Sequence, residues 1–220
     1  MKTIAIIPAF NEEKTIAKVL DQVRGFVDEM IVVDDGSSDE TYKQALQSGA
    51  IVLVHVINRG LGAALGTGFE AVKKLGADIA ITLDSDGQHD PKEIPNFIKA
   101  IEEGVDVVIG SRLLNPKGMP WHRILANTVG NIVTFLLFGA WVTDSQSGYR
   151  AFNKKALEKI RIRTNRMEVS SEIVSEVKRQ SLKLKEIPIQ AIYTTYSLSK
   201  GQSFMVGIKT LIKLLVRRIS

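Results

Sequence analysis

Ile79-Ala-Ile-Thr-Leu-Asp-Ser-Asp-Gly-Gln-His89 is the stretch on which the fold turns. The run Ile79–Leu83 is short and largely apolar, as a buried strand requires. It ends in two aspartates, Asp84 and Asp86, with Ser85 between them. Gly87 lets the backbone turn, Gln88 and His89 add two more potential ligands, and Pro91 suits the start of a following helix. Open α/β sheets bind ligands at the carboxyl ends of their strands, where these carboxylates fall. Two carboxylates and an amide oxygen are hard donors, suited to Mg²⁺ or Mn²⁺ rather than zinc, and such an ion would hold a diphosphate. Taken alone, the same Asp-x-Asp reads equally as a turn whose aspartates cap the next helix.

The flanking sequence repeats this strand-then-helix unit. Thr3–Pro8 reads as a strand, followed by a helix from an Asn11 cap to about Phe26, with Ile16, Val19, Leu20 and Val23 on one face. Met30–Val33 is the second strand, ending in Asp34-Asp35-Gly36. Ser37 and Glu40 then have capping-box spacing for a helix ending near Gly49. Ile51–Val56, Ile79–Leu83 and Val105–Ile109 are expected strands, and Gly62–Leu75 and Lys92–Glu103 expected helices. The alternation predicts a mostly parallel sheet with helices on both faces. Pro8–Glu12, Asp34-Asp35 and Asp84–Asp86 then converge at one sheet edge, in a crevice fit for a nucleotide.

The glycines Gly60, Gly62, Gly66 and Gly68 follow the third strand, where either phosphate contact or close helix packing would explain them. No Gly-Lys-Ser/Thr sequence follows a glycine-rich loop, which argues against a P-loop nucleotidase.

Beyond Gly110 the character changes. Ser111-Arg112 is followed by a loop over residues 113–123, then by a largely apolar stretch, Ile124–Val142, interrupted by Asn127, Thr128, Asn131 and Thr134. Its length is borderline for a membrane span. Its polar residues cluster at helical spacing, so it reads as an interfacial helix or, alternatively, as a core helix. Asp144-Ser-Gln-Ser-Gly-Tyr-Arg-Ala-Phe152 is a polar segment entering a strand. Helices are expected over Lys154–Ile160 and Val169–Gln180, and an edge strand over Leu184–Ile192. Ser203–Ser220 has Ile208, Leu211, Ile212, Leu215 and Ile219 at helical spacing, with Lys209, Lys213 and Arg217 on another face. That is a basic amphipathic helix, suited to a membrane interface or to docking on the domain.

Composition sets the outer limits. The 220 residues, 45% hydrophobic, suffice for one sizeable domain with an appended element. With no cysteine and three histidines, disulfide, thiolate and structural-zinc chemistry are not expected. Met1 leads straight into a strand, so no signal peptide and a cytosolic setting are expected. Residues 1–110 carry 10 Lys and Arg against 18 Asp and Glu, whereas residues 111–220 carry 19 against 6. The acidic half suits a metal; the basic half suits phosphates or an anionic surface. Nucleic acid is the weaker reading, because the basic residues are interleaved with long apolar runs.

Together, Ile-Pro-Ala-Phe-Asn-Glu-Glu, Val-Val-Asp-Asp-Gly-Ser-Ser-Asp, Asn-Arg-Gly-Leu-Gly, Leu-Asp-Ser-Asp-Gly-Gln-His, Gly-Ser-Arg and Ser-Gly-Tyr-Arg-Ala-Phe form a specific series. Over about residues 3–190 the chain resembles family 2 glycosyltransferases, and within them the polyprenyl-phosphate enzymes similar to dolichol-phosphate mannose synthase. The resemblance implies a GT-A fold over residues 1–200, with a nucleotide-binding half (1–110) and an acceptor half (111–200) containing the interfacial helix 124–142. The helix expected over 203–220 is read as a basic amphipathic membrane-interface helix. It further implies a nucleotide-sugar donor, Mg²⁺ or Mn²⁺, a polyprenyl or dolichyl phosphate acceptor, and inversion at the anomeric carbon. No nucleic-acid partner is expected, and a homo-oligomer stays open. The expected location is peripheral, at the cytoplasmic membrane face, or as the cytoplasmic domain of a membrane protein.

Residue by residue, Pro8, Ala9, Phe10, Glu12, Asn58, Gly60, Asp84 and Ser85 match nucleotide-contacting positions, as do one or both of Asp34 and Asp35. Asp86 and Gln88 match the metal ligands. Arg112 matches a phosphate-facing arginine, Arg150 an active-site arginine, and Asp144 a residue sometimes assigned as base; both arginines are expected to hold donor and acceptor phosphates bidentately. One departure concerns the donor. The mannose synthases carry Arg-x-x-Gly-x-Ser-Lys near the domain end, whereas this chain has Leu198 and Phe204 at the two charged positions, with Lys200 as a shifted charge. UDP-sugars therefore stand beside GDP-mannose. A sugar-hydroxyl acceptor, a nucleotidyltransferase and a non-catalytic binding module are the rival readings.

Overall fold

The computed structural model describes residues 1–192. Its sheet has seven strands: β1 (Thr3–Ala9), β2 (Glu29–Asp34), β3 (Ile51–Val54), β4 (Ile79–Thr82), β5 (Val107–Ser111), β6 (Arg150–Asn153) and β7 (Leu184–Pro188). They lie in the order β3-β2-β1-β4-β6-β5-β7. Every pairing is parallel except those of β6, which runs against both β4 and β5. The expected α/β sheet with helices on both faces is what forms.

Successive residues of β1 point to opposite faces and build two cores. Ala5 and Ile7 pack with α1 (Ile16–Val23), α2 (Thr41–Gln47) and α4 (Ile94–Glu102) through Leu20, Ala45 and Phe97. Ile4 and Ile6 pack with α3 (Leu61–Lys74), α6 (Lys154–Lys159) and α7 (Val169–Arg179) through Phe69, Leu157 and Ile173. Buried on both faces, the inner strands are continuous apolar runs rather than alternating ones.

Several boundaries differ from the sequence expectation. The helix after β1 starts at Ile16, not beside Asn11. Asn11 instead takes a left-handed conformation (φ 54°), and its Oδ1 accepts from Ser38 N at 2.9 Å. Ser37 does not close a capping box with Glu40. Its Oγ accepts from Asn11 N, and Asp39 accepts from Thr41 N at the start of α2. Residues expected to cap their own helices thus join the β1–α1 and β2–α2 loops to each other. β3 stops at Val54 because His55 turns inward to Asp35. β5 begins at Val107, and β7 ends at Pro188, after which Ile192 N donates to Gln88 O. A 3₁₀ turn, Pro91–Glu93, leads into α4.

The apolar stretch after β5 forms α5 (Trp121–Phe138), starting three residues earlier than expected. Its amphipathicity is inverted. Asn131 and Thr134 are buried against the domain, while Leu125, Val129, Ile132, Phe135 and Leu136 face outward. Trp121 and the following Trp141 are 75% and 59% exposed, so large aromatics flank the outward face at both ends. Among the described residues, no helix is long and apolar enough to cross a membrane. Lys200 and the helix expected over 203–220 lie outside the described residues.

Candidate active site

The carboxyl ends of β1, β2 and β4 bring together Pro8–Glu12, Asp34-Asp35 and Asp84–Gln88, as the sequence led us to expect. Glu12 is buried. Its backbone N–H donates to Thr41 Oγ1 at 2.7 Å and its carboxylate accepts from Thr15 Oγ1 at 2.8 Å. Phe10 is exposed at the rim and Ala9 buried behind it. Asp34 accepts from Ser37 N at 3.0 Å.

Asp35 is held from three directions. Its carboxylate accepts from Arg59 N (2.9 Å) and Gly60 N (2.6 Å), and pairs with His55 Nδ1 at 2.6 Å. His55 Nε2 in turn meets Thr67 Oγ1 at 2.9 Å. Asp35 therefore fixes the loop carrying Asn58 to Gly60. Gly36 is required beneath that loop: a Cβ there would sit 2.8 Å from Asn58 N, and its φ is +76°. Two glycines of the run after β3, Gly60 and Gly62, sit where another segment packs closely. Added Cβ atoms at Gly60 and Gly62 would lie 2.4 Å from Asn165 O and 2.0 Å from Thr164 O. Close packing of residues 164–166 on the start of α3 accounts for these glycines.

In the Asp-x-Asp turn, Asp86 and Gln88 lie side by side. Asp86 takes Gln88 N on Oδ1 at 3.0 Å, and the Gln88 amide lies against Asp86 Oδ2. The two side chains adjoin at the partly exposed turn, offering hard oxygen donors. Among the described residues no group of three or more His, Asp or Glu gathers as a metal cage. Mg²⁺ and Mn²⁺ fit such a sparse set, because they bind through one or two carboxylates and take their remaining ligands from substrate phosphates and water.

His89 is not placed as a ligand. It is buried, its Nδ1 accepts from Asp84 N at 3.1 Å, and its ring stacks on Tyr149 at 4.8 Å. Burial pulls its pKa down to about 4, with the charges of Asp86 and Asp144 opposing and that of Arg112 assisting. It is a neutral brace for Asp84 at physiological pH. Burial raises the pKa of Asp84, against the pull of Arg112 and Arg150 and with the push of Glu12.

The second half meets this turn through β6. Running antiparallel, β6 starts at the same sheet edge where β4 and β5 end, with Arg150 opposite both Thr82 and Ile109. Thr82 Oγ1 donates to Gly148 O at 2.7 Å, and Tyr149 Oη donates to Asp90 O at 3.1 Å. Ser-Gly-Tyr-Arg thus packs beneath Asp84.

Arg112, at the end of β5, forms a bidentate pair with Asp144: Nε to Oδ2 at 2.7 Å and Nη2 to Oδ1 at 2.8 Å, with Arg112 N also donating to Oδ2. Asp144 is fully buried. A carboxylate spent this way aims an arginine and is poorly suited to remove a proton. Arg150 also departs from expectation. It is buried, and donates to the carbonyls of Ser145, Ser147 and Ser170 at 2.7–3.1 Å. Only Nη1 lacks a partner, so a bidentate grip on phosphate does not fit. Burial lowers its pKa to about 10, leaving it charged. It braces the 145–147 turn and the start of α7.

Two residues that sequence reading did not assign to the site complete the framework. Glu186 on β7 accepts from Thr143 N at 2.8 Å, Thr143 Oγ1 at 2.8 Å and Asp144 N at 3.2 Å. Asn131 on α5 donates to Thr143 O and accepts from Ser145 N at 2.8 Å. The sequence signals were an amide in an apolar stretch and a glutamate in an edge strand.

Comparison with known proteins places this geometry. The model of "Glycosyl transferase family 2" matches residues 4–161. The UDP-N-acetylglucosamine–dolichyl-phosphate N-acetylglucosaminyltransferase of Methanococcus voltae is 40% identical over 97% of this chain and 95% of its own length. The polyprenol monophosphomannose synthase of Mycolicibacterium smegmatis is 34% identical over 72% of this chain and 64% of its own. Among solved structures, glucosyl-3-phosphoglycerate synthase from Mycobacterium tuberculosis, in complex with Mn²⁺, UDP-glucose and phosphoglyceric acid, superposes with a TM-score of 0.77. It is 23% identical, covering 99% of this chain and 79% of that one, and shares the fold.

Proposed function

The chain belongs to glycosyl transferase family 2, and from that premise we propose that it transfers a sugar, with inversion, from a UDP-sugar to a polyprenyl phosphate at a membrane surface. The observation that carries this reading is the seating of Asp144. Where a base for a hydroxyl acceptor would be sought, the carboxylate is buried under Arg112. A lipid phosphate is already anionic near neutral pH and needs no base. A sugar-hydroxyl acceptor would need one, so the phosphate acceptor is favoured.

In this reading Phe10, Glu12, Asp34 and the Asn58–Gly60 loop border the nucleotide, with Asp35 behind that loop. Asp86 and Gln88 would hold Mg²⁺ or Mn²⁺, which would supply charge neutralisation for the departing diphosphate. Asp84, fixed by His89, lies between nucleotide and sugar. Arg112, aimed by Asp144, orients phosphate oxygens for in-line attack on the anomeric carbon. The carbon–oxygen bond to the acceptor phosphate forms as the bond to the nucleoside diphosphate breaks. Leu125, Val129, Ile132, Phe135 and Leu136 rest in the lipid interface beside this cleft, with Trp121 and Trp141 at headgroup level. Both the N-acetylglucosaminyl relative and the replacement of two charged family positions by Leu198 and Phe204 favour a UDP-sugar, UDP-N-acetylglucosamine first, over GDP-mannose.

The test is a product assay with Mn²⁺ or Mg²⁺, offering UDP-N-acetylglucosamine or GDP-mannose with polyprenyl phosphate in vesicles or with soluble sugars. A glycosyl phospholipid with equimolar UDP is expected. Transfer to soluble sugars alone, or release of pyrophosphate, would overturn the reading.

A further inference from the structure

The inner side of α5 carries a feature that the acceptor reading does not use. Asn131 is 3% exposed, on a helix whose opposite side is apolar and turned outward. A buried amide must be hydrogen-bonded or it destabilises the fold. Asn131 spends both ends of its amide on one target. Its nitrogen donates to Thr143 O and its oxygen accepts from Ser145 N, the residues on either side of Asp144. The carboxylate between them clamps Arg112 through both oxygens. From the far side the same turn is held by Glu186 on β7 and by Ser111, whose Oγ meets Thr143 Oγ1 at 2.6 Å. The turn is therefore gripped between the sheet and α5, and Asn131 is the grip on the α5 side.

We propose that Asn131 is a positioning residue for transfer: it fixes the backbone around Asp144, and through that carboxylate the direction of Arg112. This rests on the acceptor reading above. A side chain that aims another group through two hydrogen bonds matters for turnover more than for donor binding, because small misplacements at the reacting atoms are costly. Thr134 is the natural control. It lies on the same inner face, and its hydroxyl reaches Gly130 O, Ser171 Oγ and Ser145 Oγ but not the backbone flanking Asp144.

The test is a double-mutant cycle on the full chain, with UDP-N-acetylglucosamine and vesicles carrying polyprenyl phosphate. It compares wild type, Asn131→Ala, Arg112→Ala and the double variant. Asn131→Ala is expected to lower kcat by about 10-fold with the donor KM within about twofold. In the Arg112→Ala background it should cost no more than about twofold further, since the two act as one unit. Thr134→Val should lower the melting temperature without changing kcat. Equal losses in both backgrounds, or an unchanged kcat for Asn131→Ala, would overturn the proposal. If Asn131→Ala does not fold, Asn131→Ser is carried through the same cycle. Failure of both to fold would make Asn131 framework only and would overturn it too. A wild type that transfers nothing to lipid phosphate would refute the acceptor reading separately. The cycle is then read on hydrolysis of the UDP-sugar.

Discussion

Gly148 lies against Asp84: a Cβ on Gly148 would stand 2.6 Å from Asp84 Oδ1 and 3.0 Å from Oδ2. The Ser-Gly-Tyr-Arg segment and the Asp-x-Asp turn, 64 residues apart in sequence by these two positions, are shaped to each other. Gly148→Ala should push the Asp84 carboxylate aside rather than unfold the chain. The expected result is a fall in kcat of about 10- to 100-fold with a small change in melting temperature. Activity at the wild-type level would show that Asp84 can shift without consequence.

The metal assignment has its own readout. The Asp86 carboxylate bonds to the adjoining Gln88, so Asp86→Ala should change stability by no more than about 0.5 kcal/mol. It should abolish the rise in melting temperature that Mn²⁺ gives in the presence of UDP and lower turnover by about 100-fold or more. Retention of the Mn²⁺-dependent shift would move the metal elsewhere.

The outward face of α5 can be tested without touching the cleft. Replacing Leu125 and Ile132 together by Gln removes two large apolar groups, each contributing up to about 1.5–3 kcal/mol when fully buried. Partition onto anionic vesicles should weaken at least about 10-fold. The chain has two tryptophans, Trp121 and Trp141, which flank the helix, so the blue shift of its fluorescence on vesicles reports the seating directly. Undiminished vesicle binding by the double variant would assign membrane contact to another part of the chain.

At the opposite end of the sheet, Asp106 joins three strands. Its carboxylate accepts from Lys183 N, Asn153 Nδ2 and Lys155 Nζ at 2.8–2.9 Å. Burial alone would raise its pKa, but these bonds outweigh burial and hold it below the ordinary 3.8. The native state therefore binds fewer protons than the unfolded chain around and below that value. The stabilisation is complete at neutral pH and is lost as pH falls through the lowered pKa. Asp106→Asn should cost about 1–3 kcal/mol at pH 7, and its urea-melt stability should depend less steeply on pH below about 4. Parallel pH profiles for the two proteins would rule out this contribution.

The strands and the convergence of their acidic ends were legible because Ile4–Ile7, Ile31–Val33 and Ile79–Ile81 are buried on both faces and so form unbroken apolar runs. The helix starts were less so. Asn11, Ser37 and Asp39 are good caps by type, and cap-forming side chains bond whichever N–H the tertiary fold presents. Here Asn11 and Ser37 bridge two loops across 26 and 27 residues. The arginines show the same limit. Sequence marks Arg112 and Arg150 as charges near a phosphate. It cannot say that one is aimed by Asp144 and the other spent on carbonyls, since those partners are set by how β6 reverses. His89 read as a ligand because an imidazole after Asp-x-Asp suggests one; its stacking on Tyr149 depends on a segment 60 residues away.

The Arg112–Asp144 pair has a further consequence. Its members stand 32 residues apart and pin both ends of the excursion that holds α5. The excursion leaves the sheet at β5 and returns just before β6, so its ends are fixed by one ion pair and two strands. Doubling a loop costs only about 0.6 kcal/mol in closure entropy. The stretch over residues 113–120, between Arg112 and α5, can therefore change length at little cost, whereas Asn131 and Thr143 are tied to the Asp144 turn and its surroundings.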